Sequence, residues 1–113
     1  MTDYRGNTVE QFLEMLIAER GASSNTCTSY LNDINNFGKF LSDAETSLED
    51  ATTDNVRSYL RHRSEVGANN LTISRNLSVL RQFFKFLQSE NVRLDNPALN
   101  VDGPKVSRPL PKV

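Results

Sequence analysis

Residues 71–90 read LTISRNLSVLRQFFKFLQSE, and this stretch decides the fold. Apolar side chains recur along it every three or four residues, at Ile73, Leu77, Leu80, Phe84 and Leu87. That spacing predicts a helix over about residues 70–90 with a continuous buried face, widened by Phe83. No part of the chain alternates polar and apolar residues as a half-buried strand would. The sequence therefore predicts a helical protein.

A shorter helix is predicted near the start of the chain, over about residues 8–20. Asn7 and Glu10 have the spacing of a capping pair, and Gly21 follows as a left-handed C-cap. The apolar positions of one buried face, at the i, i+3, i+4, i+7, i+8 spacing, are Val9, Phe12, Leu13, Leu16 and Ile17.

Two more helices are predicted between these, over about residues 24–42 and 54–66. Ser23 or Ser24 would cap the first, and Thr52 or Thr53 the second. Gly67 would end the second. Their apolar stripes comprise Cys27, Tyr30, Leu31, Ile34, Phe37 and Leu41, then Val56, Tyr59 and Leu60. The two tyrosines are expected to pack in the core with their hydroxyls reaching the surface.

Composition excludes several classes of protein. No apolar run approaches the roughly 18 residues of a membrane span, and the polar opening MTDYRGNTVE is not a secretory signal. A single cysteine, Cys27, excludes an internal disulfide and a cysteine-rich zinc site. We therefore expect a cytoplasmic protein with no metal, no cofactor and no membrane partner.

The net charge of -1 hides an uneven distribution along the chain. Residues 1–56 hold 3 Lys/Arg against 10 Asp/Glu, whereas residues 57–93 hold 7 against 2. The net charges of these two segments are therefore -7 and +5. Such asymmetry is typical of proteins with a nucleic-acid-binding face, although an ordinary solvated surface can also show it.

The stretch from residue 71 onward resembles a known family. LTISRNLSVLRQFFKFLQSENVRLDNPALNVDGPKVSRPLPKV is similar to the end of the N-terminal core-binding, SAM-like domain of tyrosine recombinases, the phage-integrase family. Its Xer-type members are the most similar: a T-I-x-R-x-L-S-x-L-R-x-F-F-x-F-L helix, then N-P, then a P-K-x-x-x-x-L-P-K linker. FLEMLIAERGASSNTCTSYLNDINNF and ATTDNVRSYL resemble the family's first three helices. The resemblance covers essentially the whole chain.

The resemblance implies a fold and a division of the chain. The fold class expected is all-α: a compact four-helix domain of the SAM-like, orthogonal-bundle type with an extended C-terminal tail. Residues 1–96 would form the core-binding domain, and residues 97–113 a linker toward an absent catalytic domain. We expect the tail after Asn96 to be mobile, because Pro104, Pro109 and Pro111 oppose helix formation.

The resemblance also implies that this chain catalyses nothing by itself. The family's nucleophilic tyrosine and its partner Arg, Lys and His residues belong to the second domain, and none can be assigned here. The only histidine, His62, lies in RHRSEV with no arginine three residues later.

In the resembled family the second and fourth helices face the major groove of duplex DNA. The fourth helix has no acidic residue between Leu71 and Ser89. Its predicted DNA-facing residues are Thr72, Ser74, Arg75, Ser78, Arg81, Gln82 and Lys85. Of these, Arg75 and Gln82 would face bases, and Arg81 and Lys85 phosphates. Val79 and Phe86 are expected on or near the same outer side, where they would contact a thymine methyl, a neighbouring subunit or the linker.

The second helix supplies a weaker candidate face. Its outward residues are Asn25, Thr28, Ser29, Asn32, Asn35, Asn36 and Lys39, so it departs from the family, which often carries Arg or Lys there. Fewer cations should mean less affinity from counterion release. Lys105 and Arg108 of the tail are further candidates for DNA contact. A basic cluster on the third helix serves either solubility or DNA: Arg57, Arg61, His62 and Arg63.

The leading hypothesis is a DNA-binding domain of a site-specific recombinase, acting in DNA recombination and integration on one half-site of duplex DNA. Other recombinase subunits in a tetrameric synapse would be its protein partners, and the isolated fragment is expected to be monomeric. The alternatives are a helical protein-interaction module that binds no DNA, and a stand-alone regulator that kept only the DNA-binding half. Salt-dependent binding to random duplex separates the interaction module from the other two.

Overall fold

The structure is a computed structural model that describes residues 4–104, with side chains described from residue 8 onward. It contains four helices: α1 (Tyr4–Arg20), α2 (Ser24–Asp43), α3 (Thr53–Glu65) and α4 (Asn70–Ser89). No strand occurs within the described residues. The all-α, four-helix prediction is confirmed, and the bounds of α2, α3 and α4 agree with it to within one residue.

The helix ends follow from local chemistry. Ser23 caps α2 by accepting a hydrogen bond from the backbone N–H of Thr26. Thr52 caps α3 in a reciprocal capping box with Asn55. Gly21, with φ 62°, follows α1 in the left-handed region that glycine enters at no steric cost. These three predicted termini are confirmed.

The start of α1 differs from the prediction. The helix begins at Tyr4, so Asn7 lies inside it and the expected Asn7–Glu10 capping pair is wrong. The residues before Thr8 carry no apolar periodicity, and periodicity was the signal that placed the start at residue 8.

α4 contacts each of the other three helices, as α2 also does, and contributes more buried residues than α2. Nine of its twenty residues are buried, against three in the equally long α2. Phe12 of α1, Phe37 of α2 and Tyr59 of α3 are all buried in the same core, and the Phe37 ring lies 5.0 Å from that of Tyr59. The core is therefore built around α4.

Three predicted exposures are wrong. Val79 and Phe86 are buried, at 1% and 8% exposure, although the sequence placed them near the outer side. Phe86 is buried because it packs against α1, where its ring lies 5.6 Å from that of Phe12. Conversely, Ile17 was expected in the core and is 55% exposed.

The chain beyond α4 packs back onto the helices. Pro97, Ala98 and Val101 are buried, whereas Leu99 and Asn100 between them are exposed, and the mobility of the tail after Asn96 stays a prediction. Lys105 and Arg108 lie outside the described residues. The division into a domain of residues 1–96 and a linker of residues 97–113 stays a prediction.

Within residues 4–104, no helix combines the length and the apolar composition that crossing a bilayer requires.

Candidate nucleic-acid interface

The exposed side of α4 forms a single polar stripe, which we call the open flank: Arg75, Ser78, Gln82 and Lys85. Arg75, Ser78 and Lys85 are exposed, and Gln82 is half-buried. Their spacing of three or four residues aligns them along one side of the helix. Two cations with a hydroxyl between them suit a run of phosphates, and an arginine can also pair with a guanine edge.

Gln82 is already hydrogen-bonded within the protein. Its Nε2 donates to the Tyr30 hydroxyl at 3.2 Å, and its Oε1 accepts from Arg20 Nη1. Reading a base would therefore require Gln82 to exchange these partners. The same contact brings Arg20, at the end of α1, to the open flank as a third cation. Sequence analysis missed Arg20, because only the packing of α1 against α4 places it there.

The neighbouring side of α4, which we call the covered flank, carries Ser74, Leu77 and Arg81. Arg81 Nε donates to the Ala98 carbonyl at 3.1 Å, and its Nη2 donates to the Val101 carbonyl. Gly103 lies over the flank so closely that a Cβ there would be 3.4 Å from Leu77 and 3.8 Å from Ser74 Oγ. Of the predicted DNA-facing residues, Ser74 and Arg81 are therefore partly covered by the protein's own chain.

Thr72, another predicted contact, lies in the first turn of α4. It is half-buried, and its backbone N–H donates to Asn69 Oδ1 at 2.8 Å, the bond that caps the helix. Asn69 thus satisfies one of the free N–H groups at this end.

The outward face of α2 carries the residues predicted for it. Asn25, Thr28, Asn32, Asn35, Asn36 and Lys39 are exposed, and Ser29 is half-buried. An open groove of about 570 Å³ runs along this face, lined by residues that include Asn32, Asn35, Asn36 and Lys39. Gly38 forms part of its wall, and nothing lies within 4 Å of where its Cβ would be. The face offers amide groups and one cation to a partner.

A polar network joins α2, α3 and α4 beneath these faces. Asn76, buried in α4, donates from Nδ2 to Asp33 Oδ1 of α2 at 3.1 Å. Its Oδ1 accepts from Arg63 Nε of α3 at 3.3 Å. Burial raises the pKa of the Asp33 carboxyl, while Arg75, Asn76 and Arg63 oppose that rise. The network holds the two candidate faces in a fixed relation and places a carboxylate near Arg75.

The basic cluster of α3 is divided by the structure. Arg63 is half-buried in the network, whereas Arg57, Arg61 and His62 are exposed. Arg57 pairs with Asp54 at 3.6 Å. Surface solubility therefore explains Arg57 and Arg61 better than it explains Arg63.

The two tyrosines also differ. Tyr30 is half-buried and its hydroxyl accepts from Gln82, but Tyr59 is 2% exposed and its hydroxyl is buried without a hydrogen-bond partner within the described residues. The expectation that the Tyr59 hydroxyl reaches the surface is wrong. Burial raises the pKa of this phenol, and the Asp33 carboxylate adds to the rise while Arg63 opposes it.

Comparison with known proteins gives consistent matches over nearly the whole chain. A family model described as phage integrase, N-terminal SAM-like domain, matches residues 9–91. "Tyrosine recombinase XerD" of Rhizobium meliloti is 47% identical over 112 residues, which cover 99% of this chain and 36% of that protein. The proteins of the same name from Brucella suis and Chlorobaculum tepidum are 41% identical over 113 residues and 39% over 106. These two alignments cover 100% and 94% of this chain, and 37% and 35% of those proteins.

The chain therefore spans about a third of the length of these curated relatives. No solved structure gives a significant match.

Proposed function

The chain belongs to the phage integrase family, as its N-terminal SAM-like domain, and from that premise we propose that it binds duplex DNA in site-specific recombination. Its substrate is one half-site of a recombination target. α4 and α2 face the major groove, with the open flank as the principal contact.

The observation that carries the proposal is the open flank itself. Arg75 and Lys85 are exposed on the one side of α4 that does not pack, and Arg20 of α1 lies beside them through its bond to Gln82. Two cations along one side of α4, with a third from α1 beside them, give counterion-release affinity for a polyanion. The Asp33–Asn76 bond holds the amide-rich face of α2 to the same helix. A cationic face beside an amide face can combine phosphate contact with base reading.

The chain acts in recombination without performing the chemistry itself. The strand-cleaving residues of the family lie outside its N-terminal domain, so we propose that this chain forms no covalent bond to DNA. Other recombinase subunits are its protein partners, and the cytoplasm is where it meets DNA.

The test is to measure binding to a random duplex by fluorescence anisotropy at several salt concentrations. We expect Lys85→Ala to weaken binding and to lower the slope of log affinity against log salt by about one, because one phosphate contact is lost. The matched control is Arg57→Ala, since Arg57 is an exposed cation already paired with Asp54 on α3. It should leave the slope unchanged.

Two results would contradict the proposal. One is salt-independent binding or none, which would favour a protein-interaction module; the exposed Val66 and Leu71 near the α3–α4 turn would then be the surface to study. The other is a lower slope in Arg57→Ala with no change in Lys85→Ala, which would place α3 in contact with DNA.

A further inference from the structure

One segment beyond α4 is bound to the covered flank along its length. We call residues 96–103 the strap. Ala98 is 0% and Val101 2% exposed, and Gly103 packs against Leu77. The strap has its own internal bonds, because the Leu99 N–H donates to the Asn96 carbonyl at 3.2 Å and the Val101 N–H to the Ala98 carbonyl at 3.4 Å. The strap is a hydrogen-bonded turn that packs against α4.

Arg81 of α4 and Asn96 of the strap hold the helix and the strap together. The guanidinium of Arg81 donates to two strap carbonyls, those of Ala98 and Val101. In return, Asn96 Nδ2 donates to the backbone carbonyl of Arg81 at 3.1 Å, and its Oδ1 accepts from the Ala98 N–H at 3.0 Å. Helix and strap therefore each supply a side chain to the backbone of the other.

The chemistry requires an arginine at this position. The planar guanidinium presents donors in fixed directions, so one side chain can serve two carbonyls at once. A lysine ammonium is a compact charge on a flexible stem and does not reproduce that fork. Since two of its donors are committed to the strap, Arg81 has fewer left for DNA.

We infer that Arg81 is a positioning residue and not a phosphate contact: with Asn96 it sets the direction in which the chain leaves α4. The helix whose open flank meets DNA thus also fixes, through its covered flank, the course of the residues that follow. The inference rests on the proposed function for its role in recombination, since the direction of exit matters there only if α4 faces DNA. We call the hydrogen bonds of Arg81 and Asn96 the clamp, and the clamp can be tested without DNA.

The first experiment measures amide hydrogen exchange in the free protein. In Arg81→Gln, we expect the Leu99 and Val101 amides to exchange on the order of tenfold faster, while the amide of Leu80 in the core stays protected. Lys85→Gln is the matched control on the same helix, and its strap should exchange as in the parent. Asn96→Ala attacks the clamp from the other side, and it decides the question if Arg81→Gln does not fold.

A second readout separates positioning from simple stabilisation. Spin labels at Ser78→Cys and Asp102→Cys, in a Cys27→Ser background, report the distance from the open flank to the strap. The parent should give a narrow distribution, and Arg81→Gln a broad one with unchanged helix content by circular dichroism. Arg81→Lys should recover the narrow distribution only in part. A narrow distribution and parental exchange in both Arg81→Gln and Asn96→Ala would overturn the inference.

The third arm uses DNA. Arg81→Gln should keep the parental salt slope, whereas Lys85→Ala lowers it by about one. A slope lowered by one in Arg81→Gln would show that Arg81 contacts phosphate and would overturn the inference. Absence of binding by the parent protein would overturn the proposed function alone, because the exchange and label measurements still decide the clamp.

Discussion

α2 and α4 are both twenty residues long and both present a polar side, yet they divide their residues differently. α4 buries nine residues and still exposes Arg75 and Lys85, while α2 buries three and exposes mainly amides and hydroxyls. α4 therefore contributes more of the core than α2 and also exposes one more cation, since Lys39 is the one exposed cation of α2. The polar surface of α2 depends less on the core, so we expect its outward residues to tolerate substitution without loss of core packing.

The largest effect expected from this difference is on stability. Phe84→Ala in α4 should destabilise the protein by about 3–5 kcal/mol, since the side chain is fully buried and packs edge-on against Phe37 and Phe83. Phe40→Ala in α2 should cost less, because Phe40 is half-buried beside Tyr59 and His62. Urea denaturation of both variants gives the two values. Equal losses would show that α2 is as central to the core as α4.

The next effect concerns DNA affinity. Arg75→Ala on α4 should weaken binding to a duplex selected from a random pool by roughly 1–3 kcal/mol and relax preference at one base pair. Asn32→Ala, at an exposed position of α2, should weaken binding less and leave the salt slope unchanged, because an amide releases no counterion. Titrations at several salt concentrations check both variants. A larger loss for Asn32→Ala would make α2 the principal contact.

Helix caps provide a smaller, local comparison. Asn69→Ala should cost about 1 kcal/mol, because it removes the acceptor for the Thr72 N–H at the start of α4. Ser23→Ala should cost a similar amount at the start of α2, where the Ser23 hydroxyl accepts from the Thr26 N–H. Thermal unfolding of both variants measures the losses. If Asn69→Ala proves far more costly, the start of α4 contributes to the core and not only to its own helix.

The smallest effect is the pH dependence that arises where the two helices meet. The pKa of Asp33 is raised above its ordinary value of 3.8 in the folded protein, chiefly by burial. The folded state therefore binds this proton more tightly, and the stability due to Asp33 is present below pH 3.8 and is lost as pH rises through the raised pKa. Asp33→Asn removes that loss, so the stability of the variant relative to the parent should increase as pH rises through this range. Urea midpoints from pH 3.5 to pH 7 measure the difference, and a variant that instead loses ground as pH rises would contradict the assignment.

Much of the fold could be predicted because its signals are local. The period of the apolar residues placed α2, α3 and α4, and Ser23, Thr52 and Gly21 marked helix ends through bonds and angles that span only a few residues. The family resemblance read from the same residues is confirmed. The burial of Val79 and Phe86 could not be predicted in this way, because it depends on contacts between residues far apart in the chain, such as that of the Phe86 ring with Phe12 of α1.

The candidate site likewise has one part that could be predicted from the sequence and one part that could not. The exposure of Arg75, Ser78 and Lys85 follows from their position opposite the apolar stripe. By contrast, Arg81 bonds to residues 17 and 20 positions away, and Asn76 to one 43 positions away. Nothing in the local pattern distinguishes Arg81, whose side chain holds the strap, from Lys85, whose side chain is exposed. Whether these residues contact DNA is still a prediction.

The central position of α4 has a consequence for how the protein is made. Among the described residues α4 follows α1, α2 and α3, so the ribosome releases these three helices before the helix they all contact is complete. At about 5–20 residues per second, their apolar faces wait on the order of seconds for residues 70–101. During that interval the three helices have the caps at Ser23 and Thr52 and the α1–α2 and α2–α3 contacts, but not the buried face of α4. The core of the described residues is therefore complete only after α4 and then the strap have emerged.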